Sequence, residues 1–203
     1  MANNAKARRT ASLLIGLFLF PALLASGLEA AKTQFGLAVG GSGSYLEIYS
    51  KKIVYSSYQG FFADFSVLNR VTIHTGLSLT MKGVDGSLSS WGLLPVVTPI
   101  RLRVIYLEVP LLVKVSPARP VYLSGGFFLA RRISGRLRVR GSTGFDNQVE
   151  DLDYGYVLGG GFKFRLIGRG NFLEFRYGRG LNPVLADREE NNITFAGIFG
   201  LYF

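Results

Sequence analysis

The sequence predicts an all-β fold, an eight-stranded antiparallel up-and-down transmembrane β-barrel with short periplasmic turns and long extracellular loops. Three observations carry that prediction. Apolar residues alternate with polar or small ones along eight separate segments, as they do in strands with one apolar face. The connections between those segments run long, short, long, short, long, short, long, the pattern of outer-membrane barrels. The 203 residues include 26 Gly, 16 Phe and 10 Tyr and have a positive mean hydropathy. Yet beyond Ala25 no run approaches the ~18 uncharged apolar residues of a spanning helix. A soluble sandwich or lipocalin-like barrel could also have eight strands, but nothing would make its loops alternate in length.

Residues 1–27 read as a secretory signal peptide. Lys6, Arg8 and Arg9 form its positive region, Ala11 to Leu24 its apolar core, and Ala25-Ser26-Gly27 offers the small residues of a cleavage site. An amino-terminal membrane anchor is the alternative, and the core is short for one. Residues 28–203 then form a single barrel domain of net charge near +7, since the segment removes three of the charges behind a formal +10.

The first strand begins with Phe35, Leu37 and Val39 and runs to about Tyr45; Glu47 to Ser57 is polar and connects. In the second, Phe61, Ala63, Phe65 and Val67 share a face, and Asn69-Arg70 is a tight turn. The third sets Val71, Ile73, Thr75, Leu77, Leu79 and Met81 against Thr72, His74, Gly76, Ser78, Thr80 and Lys82. Gly83 to Arg101 reads as a long loop. The fourth strand puts Ile105 to Val115 on one side and Tyr106, Glu108, Pro110, Leu112 and Lys114 on the other, before a break at Ser116 to Pro120. Val121, Leu123, Gly125, Phe127 and Leu129 mark the fifth; Arg131 to Asp153 reads as the longest loop. The sixth runs from Tyr154 to Leu166, the seventh is marked by Leu173, Phe175 and Tyr177, and the eighth runs from Ile193 to Phe203. That last strand has about the length a tilted strand needs to cross a bilayer.

In lipid the apolar faces must point outward, because every backbone group has to be paired within a closed sheet. The polar faces then fill a barrel only wide enough for side chains. Asp64, His74, Glu108, Lys114, Lys163, Glu174 and Arg176 are the expected members of an interior polar network. Pro110 removes a ladder donor in mid-strand, so a bulge or local break is expected there, with Glu108 turned inward to pair with Arg176 or Lys114. Tyr154, Tyr156, Tyr177, Phe172 and Trp91 are candidates for interfacial aromatic girdles.

Several functional classes are disfavoured. With no Cys there is no disulfide framework, thiol nucleophile or Cys-based zinc site. The basic residues are spread along strands and loops, which fits acidic lipid headgroups better than nucleic acid. The one histidine, His74, lies four residues from Ser78, about 13 Å along a strand. That is too far for a nucleophile–base pair, so no enzyme is expected, and no cofactor or metal site is read from the residue spacing.

The segment Tyr106-Leu107-Glu108-Val109-Pro110-Leu111-Leu112-Val113-Lys114 resembles a motif of the PorT-type outer-membrane β-barrel family. The run Tyr154 to Gly161, followed by Phe172 to Leu181, is similar to the end of that pattern. The resemblance implies an eight-stranded outer-membrane barrel, distantly like the OmpA membrane domain, in a Gram-negative envelope; it implies little about activity. An integral barrel with a structural or binding role is therefore expected. A narrow-pore or secretion-associated barrel is the alternative, and a small acyl hydrolase a more distant one. Expected partners are outer-membrane lipids, lipopolysaccharide, the barrel-assembly machinery and an unnamed extracellular or periplasmic protein. Arg136, Arg138 and Arg140 are the candidate lipopolysaccharide contacts, and Phe203, Leu201 and Phe199 the candidate assembly signal.

Overall fold

The computed structural model describes residues 32–46, 53–90, 96–139, 142–144, 151–166, 168–182 and 191–203. The expected signal peptide, residues 1–27, lies outside them, as do Trp91 and Arg140. Among these residues nine strands follow in order: β1 (Lys32–Leu46), β2 (Val54–Leu68), β3 (Val71–Ser90), β4 (Val96–Ala118), β5 (Val121–Val139), β6 (Ser142–Gly144), β7 (Leu152–Leu166), β8 (Arg169–Gly180) and β9 (Asn192–Tyr202). Each long strand pairs antiparallel with its sequence neighbour, and β1 pairs with β9, so the sheet closes. The three-residue β6 only folds back on the end of β5. Eight strands therefore make the barrel, as the alternation predicts.

The barrel is inside out relative to a soluble protein. Phe61, Phe127 and Phe175 are each about two-thirds exposed on the outer wall, while Lys114 and Glu174 inside are at most 1% exposed. Such a continuous apolar exterior is unfavourable in water and suited to lipid. The three short turns, Asn69-Arg70, Arg119-Pro120 and the one at Gly168, lie at the end where β1 begins and β9 stops. Gly168 has φ of 74°, a conformation its lack of a Cβ permits.

Among the described residues, much of two expected long loops is strand. Residues 83–90 and 96–101 continue β3 and β4, and β5 runs on to Val139 through Arg131, Arg136 and Arg138. At 20, 23 and 19 residues, β3, β4 and β5 are about twice the ~9–11 that span a bilayer. Beyond the membrane both faces of a ladder can be hydrated, so the hydrogen bonds continue without the apolar alternation that marks a spanning strand. The arginines expected on a free loop thus stand on strand extensions.

Pro110 does mark a break, on one side only. The β3–β4 register runs Thr75↔Leu111 and then Ser78↔Glu108, with no pairs between, whereas β5 pairs through Pro110↔Phe128 without interruption. The missing proline N–H falls where the β3 ladder is open. Val109, on the outward parity, is buried at this break.

Candidate functional site

The interior is built in tiers, and the lowest is aromatic. Phe62 of β2, Phe172 of β8, Tyr122 of β5 and Tyr202 of β9 pack edge to face, with ring centroids 5.2–5.7 Å apart for Phe62–Tyr202, Phe62–Phe172 and Phe172–Tyr202. The Tyr122 and Phe172 rings are 6.4 Å apart. Phe172 therefore belongs to the barrel's interior and not to an interfacial girdle; it shares parity with the inward Glu174. Three rings lie over a cross-strand glycine: Phe62 over Gly36, Tyr122 over Gly161 and Phe172 over Gly200. A Cβ on Gly200 would come within 2.0 Å of Phe172 Cε1, and one on Gly36 within 2.2 Å of Phe62 Cζ. Glycine here makes room for a ring that must lie flat across a narrow lumen.

Against this layer sits a connected polar network. Glu174 Oε1 accepts from Ser124 Oγ at 2.9 Å and from Arg176 Nε at 2.8 Å; its Oε2 accepts from Tyr122 Oη at 2.9 Å and Arg176 Nη2 at 3.2 Å. Asp64 Oδ2 accepts from Tyr202 Oη at 2.6 Å, and Asp64 Oδ1 bonds His74 Nδ1. Arg176 Nη2 lies 3.1 Å from His74 Nε2. A guanidinium can only donate, so Nε2 accepts, the imidazole is neutral, and Nδ1–H donates to Asp64. The Lys114 ammonium bridges the two carboxylates, 3.4 Å from Glu174 and 3.7 Å from Asp64, and lies 4.4 Å from the Phe172 ring centre. Two carboxylates thus face two cations, the balance that buried charge requires.

A second cluster lies further along the barrel. Lys82 Nζ donates to Asp153 Oδ2 at 2.9 Å, stands 3.3 Å from Glu108 Oε2 and sits 4.1 Å from the Phe128 ring centre. A cavity of about 40 Å³ separates the clusters, with Arg176 and Tyr58 on one side and Lys82 and Glu108 on the other. It has room for a few waters.

The structure thus brings together Asp64, His74, Lys114, Glu174 and Arg176. It does not bring Glu108 to them: Glu108 pairs with Lys82, not with Arg176 or Lys114. Lys163 is also apart, its ammonium 5.7 Å from the Tyr122 ring centre near the end of the barrel where the short turns lie. Asp153, at the acidic end of the expected loop, is instead a buried partner on β7. Tyr58, Tyr122, Ser124 and Tyr202 complete the hydrogen bonding, and inward parity was their only sequence signal. Phe199 and Leu201 lie on the outward parity of β9, and Phe203 N–H donates to Phe35 O at 3.1 Å. On the extensions, Arg136 stands opposite Arg103 and Arg138 opposite Arg101 in the β4–β5 register. Among the described residues no group of His, Asp or Glu is arranged to hold a metal ion.

Architecture and interior define a closed eight-stranded barrel of the outer-membrane type. Known structures with this arrangement include Ail, the attachment invasion locus protein of Yersinia pestis, in complex with the heparin analogue sucrose octasulfate. It has 12% sequence identity and a TM-score of 0.50, and the match covers 85% of this chain and 99% of that one. Neisserial surface protein A is similar over 86% of this chain and all of its own, at 13% identity and a TM-score of 0.45. The likeness is one of fold. No family model matches the sequence, and no curated protein does. The PorT-type resemblance rests on the sequence runs Tyr106 to Lys114, Tyr154 to Gly161 and Phe172 to Leu181 alone.

Proposed function

We propose that this chain is an integral outer-membrane barrel with a structural or binding role, closed to solutes along its axis and without enzymatic activity. The carrying observation is that an aromatic layer and the ion-paired network stacked against it fill the lumen of an eight-stranded barrel, which has no width to spare. Against catalysis, the His74 Nε2 that would act as a base is already accepting from Arg176, and Ser78 Oγ donates to Glu108 O at 3.3 Å. Planar-bilayer recording of the purified protein tests the closed lumen: no steady conductance is expected, and stable single-channel steps would favour the narrow-pore alternative. Heat-modifiable migration of the outer-membrane fraction tests location and barrel together, and a band that does not shift on boiling would overturn both.

A lipopolysaccharide-binding surface formed by Arg136 and Arg138, with Arg140 beyond the described residues, belongs to this proposal. Its support is the register, which sets four arginine positions of β4 and β5 in two cross-strand pairs on extensions that outrun the bilayer. Like charges so placed repel unless an anion lies between them, and guanidinium groups bind phosphate in two-pronged fashion. Replacing Arg136 and Arg138 with Gln should weaken binding to purified lipopolysaccharide; unchanged binding would refute the surface.

A further inference from the structure

The opposite mouth of the barrel carries a second set of cations that neither the interior network nor the extensions use. A cavity of about 1090 Å³ opens at the end with the short turns. Lys32 at the start of β1, Arg70 and Arg119 in two turns, and Lys163 and Arg165 near the end of β7 line it. No carboxylate residue lines it, and none of the five forms an ion pair among the described residues. Every buried cation of the interior, by contrast, has a carboxylate within 4 Å. The cavity is blind: Tyr202 is part of its wall and also of the aromatic layer that closes the barrel beyond it. Arg70 Nη1 donates to Pro117 O at 3.3 Å, which ties one guanidinium to the end of β4.

We propose that this vestibule binds a phosphate-bearing ligand, its oxygens shared among Arg70, Arg119 and Arg165 with Lys32 and Lys163 beside them. A concave site of one sign, walled by low-dielectric protein, concentrates anions. The mix of arginine forks and lysine ammoniums suits a group with several charged oxygens on one atom. The site's periplasmic orientation rests on the outer-membrane reading; its chemistry does not. From that side the phosphate can come from a soluble compound or from a phospholipid headgroup of the adjoining leaflet.

The test uses the full chain refolded in a non-ionic detergent and titrated calorimetrically with inorganic pyrophosphate. In parallel, lipid retention is measured by native mass spectrometry after reconstitution in phosphatidylcholine discs with and without phosphatidylglycerol. Saturable one-to-one pyrophosphate binding supports a soluble source. Retention of phosphatidylglycerol over phosphatidylcholine without pyrophosphate binding supports a headgroup. Lys163→Gln with Arg165→Gln should weaken whichever is seen by roughly tenfold for each charge-assisted hydrogen bond removed. Arg131→Gln, on β5 away from this mouth, should leave it unchanged. Each variant is first shown to be folded by its gel shift, so a failed barrel is distinguished from a failed site. Neither pyrophosphate binding nor selective retention, or binding indifferent to the Lys163 and Arg165 changes, would overturn the proposal.

Discussion

Replacing Glu174 with Gln removes one charge and almost no volume, and so isolates what the interior network contributes. Glu174 is fully buried and accepts four hydrogen bonds, two of them from Arg176, while Lys114 stands 3.4 Å away. After the change Lys114 and Arg176 share only the carboxylate of Asp64, which lies 3.7 Å from Lys114 and reaches Arg176 only through His74. One positive charge is then left uncompensated in the buried interior. Breaking a buried pair in this way costs about 3–5 kcal/mol. The amide nitrogen adds to this, because at either oxygen position it faces an Arg176 N–H, which can only donate. The assay is reversible urea unfolding in lipid vesicles, followed by the gel-mobility difference between folded and unfolded barrel and compared at constant slope. Adding Lys114→Met to Glu174→Gln restores neutrality and should recover about half the loss. A single variant within about 1 kcal/mol of the parent, or a double variant no better than the single, would refute the idea that charge balance holds this tier together.

Other outcomes follow from the same structure. Gly200→Val should destabilise the barrel by about 1–3 kcal/mol through overpacking, since even a Cβ meets the Phe172 ring at 2.0 Å. Combining it with Phe172→Ala should give less than the sum of the two single losses, measured by the same unfolding. Lys82→Met should cost about 3–5 kcal/mol by leaving Glu108 and Asp153 facing each other. Lys82→Met with Glu108→Gln should recover part of that. Phe127→Arg, in the middle of the outer wall on β5, should cost about 2–4 kcal/mol in a bilayer. The same change should cost far less in thin detergent micelles, and equal losses in the two media would argue against a lipid-facing wall.

How much was legible in the sequence follows from which features are local. Strand parity is local, because side chains alternate at every residue whatever the rest of the chain does. Phe61, Phe127 and Phe175 outward, and Asp64, His74, Lys114, Glu174 and Arg176 inward, can therefore be assigned one strand at a time. Phe172 shows the rule's strength: parity groups it with Glu174, and only weighing its aromatic character above its parity sends it to the membrane interface. Strand ends are legible only while lipid is present, since the extensions of β3, β4 and β5 need no apolar face.

An all-β chain, eight crossings, a closed barrel and the residues that point into it all follow from a period of two and from the need to pair every backbone group in lipid. Which side chains meet is set by the closed sheet. Lys82 finds Asp153 across 71 positions and Tyr202 finds Asp64 across 138. Such partnerships depend on register and strand stagger around a closed sheet, where a shift of two residues keeps every face and changes every partner. For the same reason Lys32, Arg70, Arg119, Lys163 and Arg165 are scattered in the chain and become one vestibule only when the barrel closes.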